Sequence, residues 1–217
     1  MRGHSKLLAT LGCLVSMVPA QVPGAETAEL VGTAVCLPAG PAEGVVVALT
    51  GSAIPTPPPL QHVAEIDQRG LRFVPHVLAI PLGTTVSFPN NDPIRHNVFS
   101  PSETRMFNLG TYHPGESRSV RFDHPGIVEI LCNVHPDMLA YVVVLDTPYF
   151  GVSSATGAFR ITDIPAGGYS LSVWCENHGW TAWSLTVAPE QRATARVEVG
   201  GVGAIVDGQQ LSPATFN

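Results

Sequence analysis

The sequence has few charged residues and almost no lysine. Only 13% of its 217 residues are charged, about half the share in an average soluble protein. Lys6 is the one lysine. Without residues 1–25, nine arginines remain against seventeen acidic side chains, a formal charge of −8. Those arginines form no run along the chain. An acidic surface with no basic cluster argues against nucleic acid as a partner.

The sequence also lacks an apolar run long enough for a transmembrane helix, which needs about 20 residues. Residues 1–25 begin with the basic side chains Arg2 and Lys6, continue with the apolar run LLATLGCLVSMV, and end with small residues. This order predicts a secretory signal peptide and therefore a periplasmic or secreted protein. The alternatives for this segment are a short membrane anchor and a lipidation site at Cys13.

Long helices are not expected, because 21 glycines and 20 prolines are spread through a chain that is 45% hydrophobic. Apolar residues instead alternate with polar ones, and turn residues recur every 8 to 12 positions. This period-two pattern is typical of short strands in a sandwich. It is seen in the segments LVGTAV, VVVAL, TVSF, SRSVRF and YVVVL. The predicted fold class is therefore all-β.

The strand candidates divide the chain into two sandwiches. Residues 60–147 hold about eight candidates, enough for a complete small sandwich. Residues 29–52 and 148–199 hold too few to close a core separately, so we expect them to pair into a second sandwich that carries the first as an insertion. The stretch SAIPTPPP at 52–59 reads as a stiff linker. The glycine-rich residues 200–217 predict a flexible tail.

A candidate metal site lies in the segment CNVHPDM. It places the thiol of Cys132, the imidazole of His135 and the thioether of Met138 on one loop after a strand. These are ligands for a soft, redox-active metal. A further imidazole is available from His96, which follows another strand at the same predicted end of the sandwich. Two histidines and a cysteine with a weak axial methionine form a blue-copper site.

Structural roles are the alternative for the same residues. Cys132 would then be a small buried hydrophobe or half of a disulfide, while His135 and Met138 would pack within the loop. The placement of the loop between two strands, with His96 upstream in the same sandwich, favours the metal site.

These motifs resemble those of the cupredoxins. The loop CNVHPDM is similar to the short ligand loop of amicyanin-type cupredoxins, and FVPHVLAIPLGTTVSFPNNDPIRHNVFS is similar to the strands leading to their first ligand. The resemblance implies a Greek-key sandwich with one type 1 copper, bound by His96, Cys132, His135 and Met138. It also implies that the amide of Asn97 ties the two ligand loops together and bonds near the thiolate.

A wider pattern extends the resemblance to about residues 30–185. This pattern resembles exported proteins of the methylamine utilisation type. It consists of the segments FVPH, FPNND, HNVFS, LDTPYF and IPAGGYSLSVW. The flanking segments of this chain, 29–52 and 148–199, resemble a carboxypeptidase regulatory-like, transthyretin-type sandwich. Such a module implies adhesion or folding support more than catalysis.

Two further cysteines remain after the predicted signal. In an oxidising compartment leftover thiols tend to pair, so Cys36 and Cys175 are predicted to form a disulfide. The alternatives are two unpaired cysteines, or a second metal site in which Cys175 and His178 are ligands.

Three further histidines and one methionine are predicted to have structural roles. His76 is expected at a strand edge, His113 and His124 each precede proline in a turn, and Met106 is expected in the core.

Two functions are consistent with the predicted copper site and signal peptide. The first is a periplasmic one-electron carrier in which copper cycles between Cu(I) and Cu(II), with a c-type cytochrome or a dehydrogenase as the kind of redox partner. Copper storage, delivery or tolerance is the alternative, although the chain lacks methionine-rich and histidine-rich tracts. The chain contains no His-x-His pair of the kind that builds multicopper oxidase clusters. We therefore do not expect an enzyme.

Overall fold

The computed structural model of the protein describes residues 27–38, 40–41, 43–51, 54–201 and 203–214. The signal-peptide prediction falls on residues outside these ranges. Within them every regular element is a strand, so no helix there could span a membrane. The prediction of an all-β chain is confirmed.

The strands of the described residues follow one another in the order β1 (Thr27–Cys36), β2 (Gly40–Pro41), β3 (Val46–Thr50), β4 (Ala64–Glu65), β5 (Asp67–Gln68), β6 (Phe73–Val74), β7 (Val77–Pro81), β8 (Thr85–Pro89), β9 (His96–Ser100), β10 (Phe107–Tyr112), β11 (Ser117–Arg121), β12 (Gly126–Leu131), β13 (Leu139–Leu145), β14 (Phe150–Val152), β15 (Ala158–Pro165), β16 (Gly167–Cys175), β17 (Gly179–Val187), β18 (Arg192–Val199), β19 (Gly203–Val206) and β20 (Gln209–Gln210).

The two ends of the chain build what we call the flanking sandwich. One of its sheets has the order β15-β1-β18-β19-β20, with β2 beside β1, and the other has the order β14-β3-β16-β17. Alternate residues of these strands point inward, as the period of a strand requires. The resulting core includes Leu30, Leu49, Phe159, Leu171 and Val197. Strands that lie far apart in sequence therefore share one core.

The middle of the chain builds the central sandwich. A five-stranded sheet of order β10-β9-β12-β13-β7 faces a three-stranded sheet of order β11-β8-β4, and β5 and β6 form a hairpin beside them. The core between the sheets includes Ile66, Phe88, Ile130 and Val142, each fully buried. The expected site residues Cys132 and Met138 belong to the same core cluster.

The two sandwiches pack against each other through a separate apolar cluster. From the flanking sandwich it takes Val46 and Trp174, and from the central sandwich it takes Val77, Val143 and Leu145. The outward faces of β3 and β16 thus cover the outward faces of β7 and β13. The two main cores remain distinct across this junction. That residues 60–147 form an inserted domain separate from the flanking sandwich is a proposal. An excised fragment of residues 60–147 tests whether this part folds alone.

Two local expectations differ from the structure. The tail beyond residue 200 is not a free end over its described part, because β19 pairs with β18 and buries Ala204 in the flanking core. Met106 is 69% exposed and not in the core. It lies between β9 and β10, at the end of a turn.

Candidate metal centre

Two neighbouring strands position the predicted ligands. His96 is the first residue of β9, and Cys132 directly follows the last residue of β12. β9 and β12 are antiparallel, with Leu131 opposite Phe99. The start of one strand therefore lies at the same end of the sandwich as the finish of the other. The loop from β12 to β13 then carries His135 and Met138 across this end.

Three of the four predicted ligands form a compact cluster. The ligand atoms of His96, Cys132 and His135 all lie within 4.8 Å of one another. The Nδ1 atoms of the two histidines face each other at 3.0 Å. Cys132 is a buried free cysteine, His96 is fully buried and His135 is partly exposed. Of the three side chains of the cluster, His135 is thus the one that solvent reaches.

Met138 is held close to this cluster by a turn within the loop. Its backbone N–H donates a hydrogen bond to the carbonyl oxygen of His135 at 3.0 Å. Its side chain is buried in the central core, in the same apolar cluster as Cys132. The turn thus keeps the backbone of Met138 beside that of His135, while its side chain packs in the core.

Asp92 contacts the first histidine on the side away from the cluster. Its Oδ2 lies 2.8 Å from Nε2 of His96. Its carboxyl also accepts backbone hydrogen bonds from Gly70 at 2.5 Å and Leu71 at 2.9 Å. Burial opposes ionisation of Asp92, but the bonds from Leu71 and Gly70 and the contact with His96 together lower its pKa below the usual value. Asp92 is therefore a carboxylate.

Sequence reasoning missed Asp92. Its signal is present in the motif NNDPIRH, where an aspartate stands four residues before the proposed ligand. The loop that brings the two together is built by Asn90, which is fully buried. Asn90 donates to the carbonyl of Ile94 at 2.8 Å and accepts from the backbone N–H of Asp92 at 3.1 Å. These bonds fold the loop back so that Asp92 reaches the imidazole.

Asn97 does not play the part that the resemblance implies. Its side-chain amide donates to Oδ1 of Asn108 at 2.9 Å, on the adjacent strand β10, and not to the loop that carries Cys132. A register shift in β10 between Asn108 and Thr111 accompanies this contact. The buried Oδ1 of Asn97 has no hydrogen-bond partner among the described residues. Asn97 therefore ties β9 to β10 beside the cluster.

The other two cysteines of the described residues, Cys36 and Cys175, form a disulfide in the flanking sandwich. Cys36 ends β1, Cys175 ends β16, and the structure joins their sulfur atoms. A cysteine in a disulfide has no thiolate to offer a metal, so the alternative site of Cys175 with His178 is wrong for this structure. His178 instead lies in the turn between β16 and β17, where its N–H donates to the carbonyl of Cys175.

The donor set of the cluster fits a soft, redox-active metal. Two nitrogen ligands at about 2.0–2.1 Å from one ion would be separated by roughly 3 Å, and the facing Nδ1 atoms are 3.0 Å apart. The third donor is the sulfur of Cys132, and the thioether of Met138 is buried in the same core cluster. Imidazole, thiolate and thioether together suit copper better than magnesium or calcium, which prefer oxygen ligands. Within the described residues this is the one cluster of three potential metal ligands found.

No protein-family model matches this sequence, and no curated protein matches it. Among solved structures, the purple cupredoxin of Nitrosopumilus maritimus aligns with 38% of this chain and 99% of its own, at 26% identity and a TM-score of 0.35. A reduced mutant of amicyanin aligns with 46% of this chain and 98% of its own, at 18% identity and a TM-score of 0.37.

The copper-containing nitrite reductase NirK of Thermus scotoductus SA-01 also aligns, with 52% of this chain, at 25% identity and a TM-score of 0.37. This chain covers 28% of the length of that enzyme. These similarities cover only part of the chain, and their TM-scores are below 0.5.

Proposed function

We propose that the protein is an exported type 1 copper protein that carries single electrons. His96, Cys132 and His135 would hold the one copper ion, with Met138 as a weaker ligand. The observation that carries the proposal is the cluster in which two facing Nδ1 atoms and a buried free thiol lie within 4.8 Å. When bound, copper supplies a one-electron couple between Cu(I) and Cu(II).

The protein's own contribution is a rigid, partly closed cage. His96 begins a strand of the five-stranded sheet, and Cys132 extends the neighbouring strand of the same sheet. Ligands on rigid elements keep their positions when the charge of the ion changes, which keeps the reorganisation small. His135 is the partly exposed member of the cluster. Its edge is where electrons would enter and leave.

The proposed compartment is the periplasm or the exterior of the cell. The disulfide between Cys36 and Cys175 supports this proposal, because such bonds persist in oxidising compartments. The predicted signal peptide at residues 1–25 agrees with it. We also propose that the flanking sandwich is of the carboxypeptidase regulatory-like type and that it serves as a support for the copper domain. A redox protein such as a c-type cytochrome or a dehydrogenase remains the proposed partner.

Voltammetry combined with a chelator competition tests the carrier proposal. An electron carrier should cycle reversibly between Cu(I) and Cu(II) and retain the metal when a strong Cu(I) chelator is added in excess. Rapid transfer of Cu(I) to the chelator, with loss of copper on each cycle, would instead indicate a protein for copper storage or delivery.

A further inference from the structure

Asp92 is a buried carboxylate whose hydrogen-bonding capacity is used on three sides. It is 6% exposed. Oδ1 accepts from the backbone N–H of Gly70, while Oδ2 accepts from the backbone N–H of Leu71 and lies 2.8 Å from Nε2 of His96. Both oxygens of Asp92 thus accept backbone hydrogen bonds, an arrangement that stabilises the ionised carboxylate. A carboxylate has no proton to donate, so the N–H at Nε2 of His96 is the donor in the third contact.

This assignment fixes the state of the other ring nitrogen. In a neutral imidazole only one nitrogen carries a proton. With the proton of His96 on Nε2, Nδ1 presents its lone pair, and Nδ1 is the atom that faces His135. A carboxylate bonded to the remote N–H of a metal-bound histidine also makes the imidazole a stronger electron donor. A stronger donor stabilises the more highly charged oxidation state.

We propose that Asp92 is a positioning residue that holds His96 in its metal-binding tautomer and lowers the reduction potential of the copper. The inference rests on the proposed function, since it concerns the same site.

Asp92 also connects the site to a neighbouring hairpin. Gly70 and Leu71 join β5 to β6 and both have positive φ angles, of 63° and 59°. Two successive residues in this conformation form the tight turn that matches the twist of a two-residue hairpin. The N–H groups of this turn point at Asp92. A change at Asp92 therefore loosens the hairpin as well as His96, and the test has to separate the two effects.

A matched pair of variants makes this separation. Asp92→Asn removes the charge beside His96. Asp67→Asn removes a similarly buried charge from the same hairpin, since Asp67 is 8% exposed, accepts from Asn91 at 2.8 Å and pairs with Arg69 at 2.8 Å. No hydrogen bond or ion pair joins Asp67 to His96, Cys132 or His135 among the described residues. It is thus a control for both long-range charge and hairpin stability.

The measurements are the affinities for Cu(II) and Cu(I) and the reduction potential of the full-length variants. Asp92→Asn should weaken Cu(II) binding about 10-fold to 100-fold and weaken Cu(I) binding less. Each tenfold difference between the two losses raises the potential by about 59 mV. Asp67→Asn should change the potential much less. Equal shifts of the reduction potential in the two variants, or no rise of the potential in Asp92→Asn, would overturn the proposal.

A second measurement covers the case in which Asp92→Asn does not fold. Nitrogen NMR of the wild-type, metal-free protein, with its imidazoles neutral, should show His96 protonated at Nε2, with a slowly exchanging proton, and unprotonated at Nδ1. A proton on Nδ1 would overturn the assignment. This readout needs no copper, so it decides the role of Asp92 even if the copper-loaded protein proves not to be blue.

Discussion

The imidazole of His76 bonds to Glu176 across the junction of the two sandwiches, with Nε2 lying 2.7 Å from the carboxylate. Its other nitrogen, Nδ1, lies 3.0 Å from the carbonyl oxygen of Leu139, the residue after Met138. One side chain thus connects the end of the ligand loop to the residue after the disulfide half Cys175. His76 directly precedes β7, the edge strand of the five-stranded sheet, which agrees with the expected position at a strand edge. Its contacts join the two parts of the chain.

The same junction gives Tyr141 a raised pKa of about 12, against an ordinary value of 10.0. Burial is the largest cause, followed by the negative charge of Glu176 and its hydrogen bond with the tyrosine hydroxyl at 3.3 Å. An unfolded chain releases this proton more easily than the folded one. The stability that comes from the raised pKa of Tyr141 should therefore be fully present below about pH 10. The free energy of unfolding should fall as the pH rises from about 10 toward 12.

Glu176→Gln should lower the pKa of Tyr141 without returning it to 10.0, because burial remains. Tyrosinate absorbance over an alkaline titration measures it, with Tyr141→Phe subtracted to identify the residue. Glu129→Gln is the control, since Glu129 makes the smallest of the contributions that raise this pKa. An effect of Glu129→Gln as large as that of Glu176→Gln would contradict the assigned contact.

The buried thioether and thiol predict different effects on copper. Cys132→Ser should abolish the intense visible band, because that band needs the copper–thiolate bond. Met138→Gln should keep the copper and lower the reduction potential, since a hard amide oxygen favours Cu(II). The control for Met138 is Met106→Gln, at a side chain 69% exposed. Strong colour in Cys132→Ser would show that the thiolate is not a ligand.

The disulfide predicts a thiol count and a stability difference. Unfolded, metal-free protein without residues 1–25 should react with a thiol reagent at Cys132 alone, and at three cysteines after reduction. Cys36 and Cys175 are 139 residues apart, and closing a loop of that size stabilises by at most about 4–5 kcal/mol on the chain-entropy model. The double variant with serine at both positions should lose up to that amount in denaturant unfolding. Three thiols before reduction would contradict the bond.

The central sandwich should fold and bind copper as an excised fragment of residues 60–147, because its core cluster is separate from that of the flanking sandwich. The fragment exposes the apolar face that includes Val143 and Leu145, so we expect it to self-associate more than the full chain. Copper titration and size-exclusion chromatography measure both properties. A soluble fragment that is unfolded or does not bind copper, beside a full chain that does, would show that the domain division is wrong.

Local patterns in the sequence account for much of the fold. Period-two alternation is set by the geometry of a single strand, so the strands around the site could be predicted. Cys132, His135 and Met138 lie on one loop, and their proximity follows from their spacing. His96 could be added because antiparallel strands bring the start of one to the end of the next.

The contacts that escaped prediction depend on how segments distant in sequence meet. Asp92 reaches His96 only because buried Asn90 folds the intervening loop, and it is held by a hairpin some twenty residues upstream. Asn97 bonds to Asn108 beside a register shift, which alternation does not reveal. The glycine-rich end of the chain was predicted to be flexible. Its pairing with β18 could not be predicted, because local sequence does not specify which strand lies beside it.

The visible absorption spectrum of the full chain loaded with Cu(II) tests the central claim most directly. We predict one copper per chain and an intense charge-transfer band that disappears on reduction and returns on reoxidation. A protein that binds Cu(II) without this band, or that does not bind copper at the cluster of His96, Cys132 and His135, would contradict the account.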